Sequence, residues 1–134
     1  MSNRVQWDPR YSVGNEVIDD QHRAILARCN ALADCLADAS EECDRQFQKI
    51  FDELKALARE HFATEEALLL RNAYPLIEEH RHEQEEFDYL ESEIITTENF
   101  DKHELQSFLS LWWSGHIAGC AKNLRSCLEQ QATS

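Results

Sequence analysis

Apolar residues return at spacings of three and four along four long stretches of this chain, a period that fits one face of an α-helix and no regular strand. Ile18, His22, Ile25, Leu26, Cys29, Leu32 and Leu36 share a face of a first helix, over about 18–38, and Asp19, Arg23 and Asp34 fall outside that stripe. A second helix is expected over about 44–71, with Phe47, Ile50, Phe51, Leu54, Leu57, His61, Phe62, Glu65, Leu68 and Leu69 inward and Ser40 as a candidate N-cap. The segment Asn72-Ala-Tyr-Pro75 breaks the period, and Pro75 suits the first turn of a third helix, where a missing N–H costs nothing. That helix, over about 75–97, turns Leu76, Ile77, His80, Gln84, Phe87, Leu90 and Ile94 inward. The period lapses at Thr97-Glu98-Asn99, and Asp101 with Glu104 resembles a capping box for a fourth helix over about 101–128. Its inward stripe reads Leu105, Phe108, Leu109, Trp112, His116, Cys120 and Leu124.

Helices of this length, joined by short connections, pack as antiparallel neighbours. Only three Gly and two Pro interrupt them. The expected architecture is an all-α, up-down-up-down four-helix bundle, one domain over 1–134 with an N-terminal arm over 1–17 that carries Trp7 and Tyr11. A formal net charge of -13 repels phosphate backbones and anionic lipid, so nucleic acid and membrane surfaces are unexpected partners. No stretch approaches the roughly 20 apolar residues of a membrane span, and the first residues carry no apolar leader, which points to the cytoplasm. Five cysteines, Cys29, Cys35, Cys43, Cys120 and Cys127, form no CxxC pair and read mostly as small core residues in a reducing compartment.

The residues that interrupt the stripes carry the chemistry. A buried ionisable group costs several kcal/mol, on the order of the whole stability margin, unless it is paired, hydrogen-bonded or bound to metal. His22, His61, Glu65, His80 and His116 come from all four helices and sit on inward faces. In antiparallel helices these positions converge at one height, and His61 with Glu65, one turn apart, has a chelating spacing. Imidazole and carboxylate donors suit iron, zinc or manganese; a metal-free buried His–Glu network is the competing reading. Only Glu79-x-x-His82 fits a ferritin-like motif, and His82 points away from His80, so His82 and His103 are expected on the surface.

These motifs resemble the bacteriohemerythrins along nearly the whole chain. Trp7-Asp-Pro-Arg-Tyr-Ser-Val-Gly14 and Ile18-Asp-Asp-Gln-His22 resemble the family's arm and first ligand. His61-Phe-Ala-Thr-Glu65-Glu, Tyr74-Pro-Leu-Ile-Glu-Glu-His80 with Glu85-Glu-Phe87, and Trp112-Trp-Ser-Gly-His116-Ile resemble the motifs of the other three helices. The resemblance implies a non-haem di-iron centre of five histidines and two bridging carboxylates, with one iron open to O2. Two of the seven ligands are replaced: Gln84 stands where a histidine is expected, and Ala121 where an aspartate is expected. The retained set is His22, His61, Glu65, His80 and His116, and Gln84 and Cys120 are further, weaker candidates.

The implied function is a hemerythrin-like iron-binding protein related to O2 binding, storage or sensing, with a degenerate site. The cofactor is two iron ions if the family site survives, otherwise one iron or zinc. Two rivals stand beside it: a mononuclear site, with His22, His61 and Glu65 as its simplest ligand set, reacting with O2, peroxide or nitric oxide, and a metal-free or zinc-bound interaction module. No nucleophile–base pair or Gly-rich phosphate loop marks the chain as an enzyme.

Overall fold

The computed structural model describes residues 5–37, 41–71, 77–96 and 101–133, and of residues 41, 43, 44, 94–96 and 123–133 it describes the backbone alone. Four helices follow one another: α1 (Glu16–Ala37), α2 (Glu41–Arg71), α3 (Ile77–Thr96) and α4 (Lys102–Thr133). The expected Ser40 cap, the break from Asn72 to Pro75 with Leu76, the lapse from Thr97 to Asn99 and the side chains of Cys43, Ile94, Leu124 and Cys127 lie outside the described residues.

The arm makes a single 3-10 turn, Pro9–Tyr11, capped by Asp8, whose Oδ1 accepts the Arg10 N–H at 2.8 Å. Gly14 then turns the chain with φ +83, a conformation that glycine adopts without strain. Asn15 starts α1, since its side-chain oxygen accepts the Ile18 N–H at 3.1 Å and its carbonyl accepts the Asp19 N–H at 2.9 Å. At the fourth helix Asp101 plays the same part, taking the His103 N–H at 2.8 Å. The α1 stripe was read from residue 18 because the capping turn before it carries no inward apolar residue.

Side-chain partners set the directions of the rods. Gln21 meets His61 while Arg28 meets Glu53, so α1 and α2 run antiparallel. Glu66 meets Arg81 while Phe62 meets Phe87, which reverses α3 against α2, and Phe87 meets Phe108 and Trp112 while Glu83 meets His116, which reverses α4 against α3. His22 faces His116 and the Cys29 carbonyl accepts from Gln106, which closes the ring between α1 and α4. The bundle is therefore all-α and up-down-up-down.

Two apolar clusters fill it, the larger built on Ile25, Leu26, Leu32, Phe47, Phe51, Leu54, Phe62, Phe87, Leu109, Trp113 and Ile117, the smaller on Val13, Ile18, Leu69 and Cys120. Burying each large side chain stabilises by about 1.5–3 kcal/mol. His22, His61, Glu65 and His116 form a polar layer between them. Two expectations need correcting, on α4 and at Asp19. On α4, Trp113 and Ile117 are fully buried, whereas Trp112 and Phe108 are half-buried, because α4 packs against both α1 and α3 and the sector facing the bundle axis lies one residue further on. Gln106 and Ser110 are also buried, satisfied by a 2.9 Å bond between them and the Cys29 carbonyl. Asp19 is not outside the stripe but buried, accepting from Ser12 Oγ at 2.6 Å and from the Val13 N–H at 3.0 Å.

Asp19 thus ties the end of the arm to α1 beside the polar layer. Asp19→Ala leaves the buried Val13 N–H without its acceptor, and an unsatisfied buried group costs about 1–3 kcal/mol. A urea titration is expected to show a loss in that range; an unchanged midpoint would mean that the arm docks without this bond.

Candidate metal centre

Four donor atoms meet inside the polar layer. One ligand atom each from His22, His61, Glu65 and His116 lies within 4.8 Å of the others, and all four residues are buried. His61 Nε2 stands 3.1 Å from His22 Nε2, 3.1 Å from His116 Nε2 and 2.6 Å from Glu65 Oε2. A ring nitrogen carries either one proton or one lone pair, so it cannot satisfy three such neighbours at once.

A chain of hydrogen bonds decides which form His61 takes. Thr64 Oγ1 donates to the Glu60 carbonyl at 2.9 Å and accepts from Gln21 Nε2 at 3.1 Å, which turns Gln21 Oε1 toward His61. That oxygen accepts only, so His61 Nδ1 holds the proton, at 3.0 Å, and its Nε2 presents a lone pair to the centre. His116 is set in the same manner: Nδ1–H donates to Glu83 Oε1 at 2.5 Å, and Nε2 faces inward. An outer oxygen that fixes the tautomer is the usual support of a metal-binding imidazole.

Glu65 has two faces. Its Oε2 points at His61 and His116, 3.4 Å from the latter, without an aligned hydrogen bond to either. Its Oε1 lies 3.1 Å from His80 Nδ1 and accepts from the Cys120 thiol at 3.3 Å. His22 Nδ1 and His80 Nε2 are buried without a hydrogen-bond partner among the described residues. His80 thus adjoins the four-donor group through Glu65 and is not one of its members.

Charge follows from burial and neighbours. Burial pushes His22 down to about 2, and the adjacent His61 and His116 add to the effect. Burial lowers His61 as well, against the pull of Glu65. Burial would raise Glu65, but the charge of His116, with the His61 and His80 rings beside the carboxylate, holds it well below the usual range. Burial would likewise lower His116, yet Cys120 and Glu65 together hold it well above its ordinary value. Since burial keeps the Cys120 thiol neutral up to about 11, Glu65 is the anion that matters near neutrality. The protein's own balance is one imidazolium against one carboxylate, and a cation fits the point where that proton sits. Lone pairs converging on an anionic oxygen, with buried polar atoms left unsatisfied, fit a metal ion better than they fit any assignment of protons.

Aromatic rings seal the layer. Trp112 stacks on His116 with ring centres 5.2 Å apart, and Phe62 stacks on Trp113 at 5.4 Å while touching the edges of His80 and His116. Cys120 is the sixth polar group of the layer, but Gln84 does not join it: it is half-buried and lines a cleft of about 460 Å³ between α2 and α3, with Arg59, Phe62 and Glu91 among its walls. Ala121 is buried and offers no donor. His82 and His103 are exposed, as their position outside the stripes implied. Gln21 and Glu83 escaped the periodicity reading because neither belongs to an apolar stripe; the need of each inward imidazole for an acceptor on its other nitrogen is the signal that could have found them.

The hemerythrin HHE cation binding domain matches residues 13–128. This chain belongs to the hemerythrin family. A bacteriohemerythrin of Stenotrophomonas maltophilia (strain R551-3) is 30% identical over 116 residues, covering 84% of this chain and 74% of that protein. No solved structure gives a significant match. The hemerythrin-like fold and the buried His/Glu cluster therefore agree on a metal-binding domain, and among the described residues no helix is long and apolar enough to cross a membrane.

The α2–α3 cleft also holds a testable carboxylate. Burial raises Glu91, opposed by Lys55, reinforced by Asp88 and opposed again by Arg59. The folded chain then keeps this proton to higher pH than the unfolded chain, so the group favours folding below its unfolded value near 4.5 and loses that contribution as pH rises through the raised value. Glu91→Gln is expected to raise the urea midpoint at about pH 7 and to leave it nearly unchanged at about pH 4. An equal gain at both would assign the effect to packing.

Proposed function

We propose that this chain is a non-haem iron protein that holds its metal through His22, His61, Glu65 and His116, with His80 on the far oxygen of Glu65, and that it handles O2 or a related small molecule such as peroxide or nitric oxide. The observation that carries this reading is the convergence of three imidazole Nε2 atoms and Glu65 Oε2 within 4.8 Å, with the outer nitrogens of His61 and His116 already held by Gln21 and Glu83. Nitrogen and carboxylate donors of this kind suit iron, and iron is what the family implies. Bound there, iron supplies electrons and a coordination position for the small molecule.

The chain's own groups do the rest. Gln21 and Glu83 hold their imidazoles in the tautomer that faces a cation, a preorganisation that removes the ordering cost from binding. Glu65 offers a full negative charge in a dry layer, where charges are screened poorly. Phe62, Trp112 and Trp113 keep bulk water from the donors. Gln84 outside the cluster and Ala121 without a donor favour one metal over two, and they support a second reading in which the occupant is a single closed zinc site.

Anaerobic reconstitution with iron(II), metal counting and an optical spectrum after O2 exposure test the proposal. Retained iron and a charge-transfer band that appears with O2 are expected, and both His61→Ala and Glu65→Ala should abolish them; iron that survives both changes sinks the reading, and one colourless metal transfers the site to zinc. Metal at a hundred times its Kd should add about 2.7 kcal/mol of stability, lost on chelation. Glu83→Ala is expected to weaken metal affinity by about 10- to 100-fold without removing a donor.

A further inference from the structure

The metal centre has a sulfur on one side that the nitrogen and carboxylate set does not use. Cys120 lies one turn beyond His116 on α4 and is buried, with Sγ 3.3 Å from Glu65 Oε1 and 3.5 Å from His116 Nε2. Two further observations point at a ligand there. Glu65 is 3% exposed and its Oε2 lacks a hydrogen bond; His80 is 6% exposed, brings Nδ1 to the same Oε1 at 3.1 Å, and buries Nε2 unsatisfied. A sulfur and an imidazole nitrogen therefore flank one carboxylate oxygen, Glu65 Oε1, at the edge of the four-donor group.

We propose that Cys120 is a metal ligand, binding as a thiolate on the Oε1 side of Glu65, so that the centre is a mixed nitrogen, oxygen and sulfur site for a divalent cation of borderline softness such as iron(II), cobalt(II) or zinc(II). This rests on the metal-binding reading above and adds the sulfur donor to it. On binding, the thiol proton leaves to solvent and the sulfur lone pair forms the bond to the metal; no oxidant or reductant takes part. Charge gives the reason for the sulfur. Three neutral imidazoles and Glu65 leave a divalent cation with about one uncompensated positive charge in a dry interior, which is costly. A thiolate cancels it. Ala121 supplies no carboxylate for that purpose, and Cys120, the residue before it, brings its sulfur to Glu65 Oε1.

Loading the intact chain with cobalt(II) tests this. Wild type is expected to show a strong thiolate-to-cobalt band in the near ultraviolet, and zinc-loaded protein should show a sulfur neighbour at about 2.3 Å by X-ray absorption. Cys120→Ser should lose both signals while still taking up metal, with affinity down by about 10-fold or more. Cys29→Ser, two turns along α1 from His22, should change neither. Cobalt bound with its ligand-field bands but no sulfur band overturns the thiolate alone, as does a Cys120→Ser variant of wild-type affinity. No uptake by wild type overturns this proposal together with the metal-binding reading. The wild-type spectra decide even where the serine variant does not fold.

Discussion

Burying the Glu65 carboxylate at the centre of a helical bundle is the constraint around which the other polar residues are arranged. A lone carboxylate in that setting would cost several kcal/mol, comparable with the net stability of a domain this size. Here that cost is offset from three directions, His116 from α4, His80 from α3 and the Cys120 thiol, while the His61 lone pair faces the same carboxylate from its own helix. Each partner is itself buried and would be expensive alone. The layer is stable only as a unit, and for that reason its members come from different helices whose packing brings them together.

The apolar residues do more than fill space. Phe62 and Trp113 touch His61, and Trp112 lies flat on His116, so the rings that exclude water also hold the imidazole planes. Below this layer Val13, Ile18, Leu69 and Cys120 close the bundle, with the Asp19 bonds holding the arm against them. A polar layer clamped between two apolar clusters has little freedom to relax when one donor is removed. Gln84, in the α2–α3 cleft, and Ala121, buried without a donor, therefore bear on the donor set more than on the fold.

Much of this was legible in the chain because burial imposes periodicity. The all-α bundle and the inward placement of His22, His61, Glu65, His80 and His116 followed from residues that interrupt apolar stripes, and such interruptions are rare unless something compensates them. What periodicity could not reach were residues that act sideways. Glu83 and Gln21 sit at helix borders and reach the ring nitrogens by the length of their side chains. Asp19 reads as solvated because its partners come from the arm, whose path no helical period describes. Trp112 and Trp113 are adjacent and equally apolar, so the choice between them rested on where α4 meets α1 and α3, which is a tertiary fact. The pairing of His116 with His22 and His61, and of His80 with the other oxygen of Glu65, likewise depends on rod heights that spacing alone leaves free.

The electrostatics of the layer connect its metal-free and metal-bound states. Without a cation, His116 carries a proton against Glu65, and His22 and His61 remain neutral because burial and each other's charge forbid protonation. In the proposed metal-bound state a cation would stand where that proton sits, and His61 would present its Nε2 lone pair to it. The geometry needs little rearrangement, since Gln21 and Glu83 hold the outer nitrogens in both states. The proposed thiol donor is the group for which the two states would differ most: neutral beside the carboxylate without a cation, because burial disfavours the anion, and anionic where a cation offers the opposite charge. With the proposed thiolate in place, such a layer would select its metal by charge and softness more than by size.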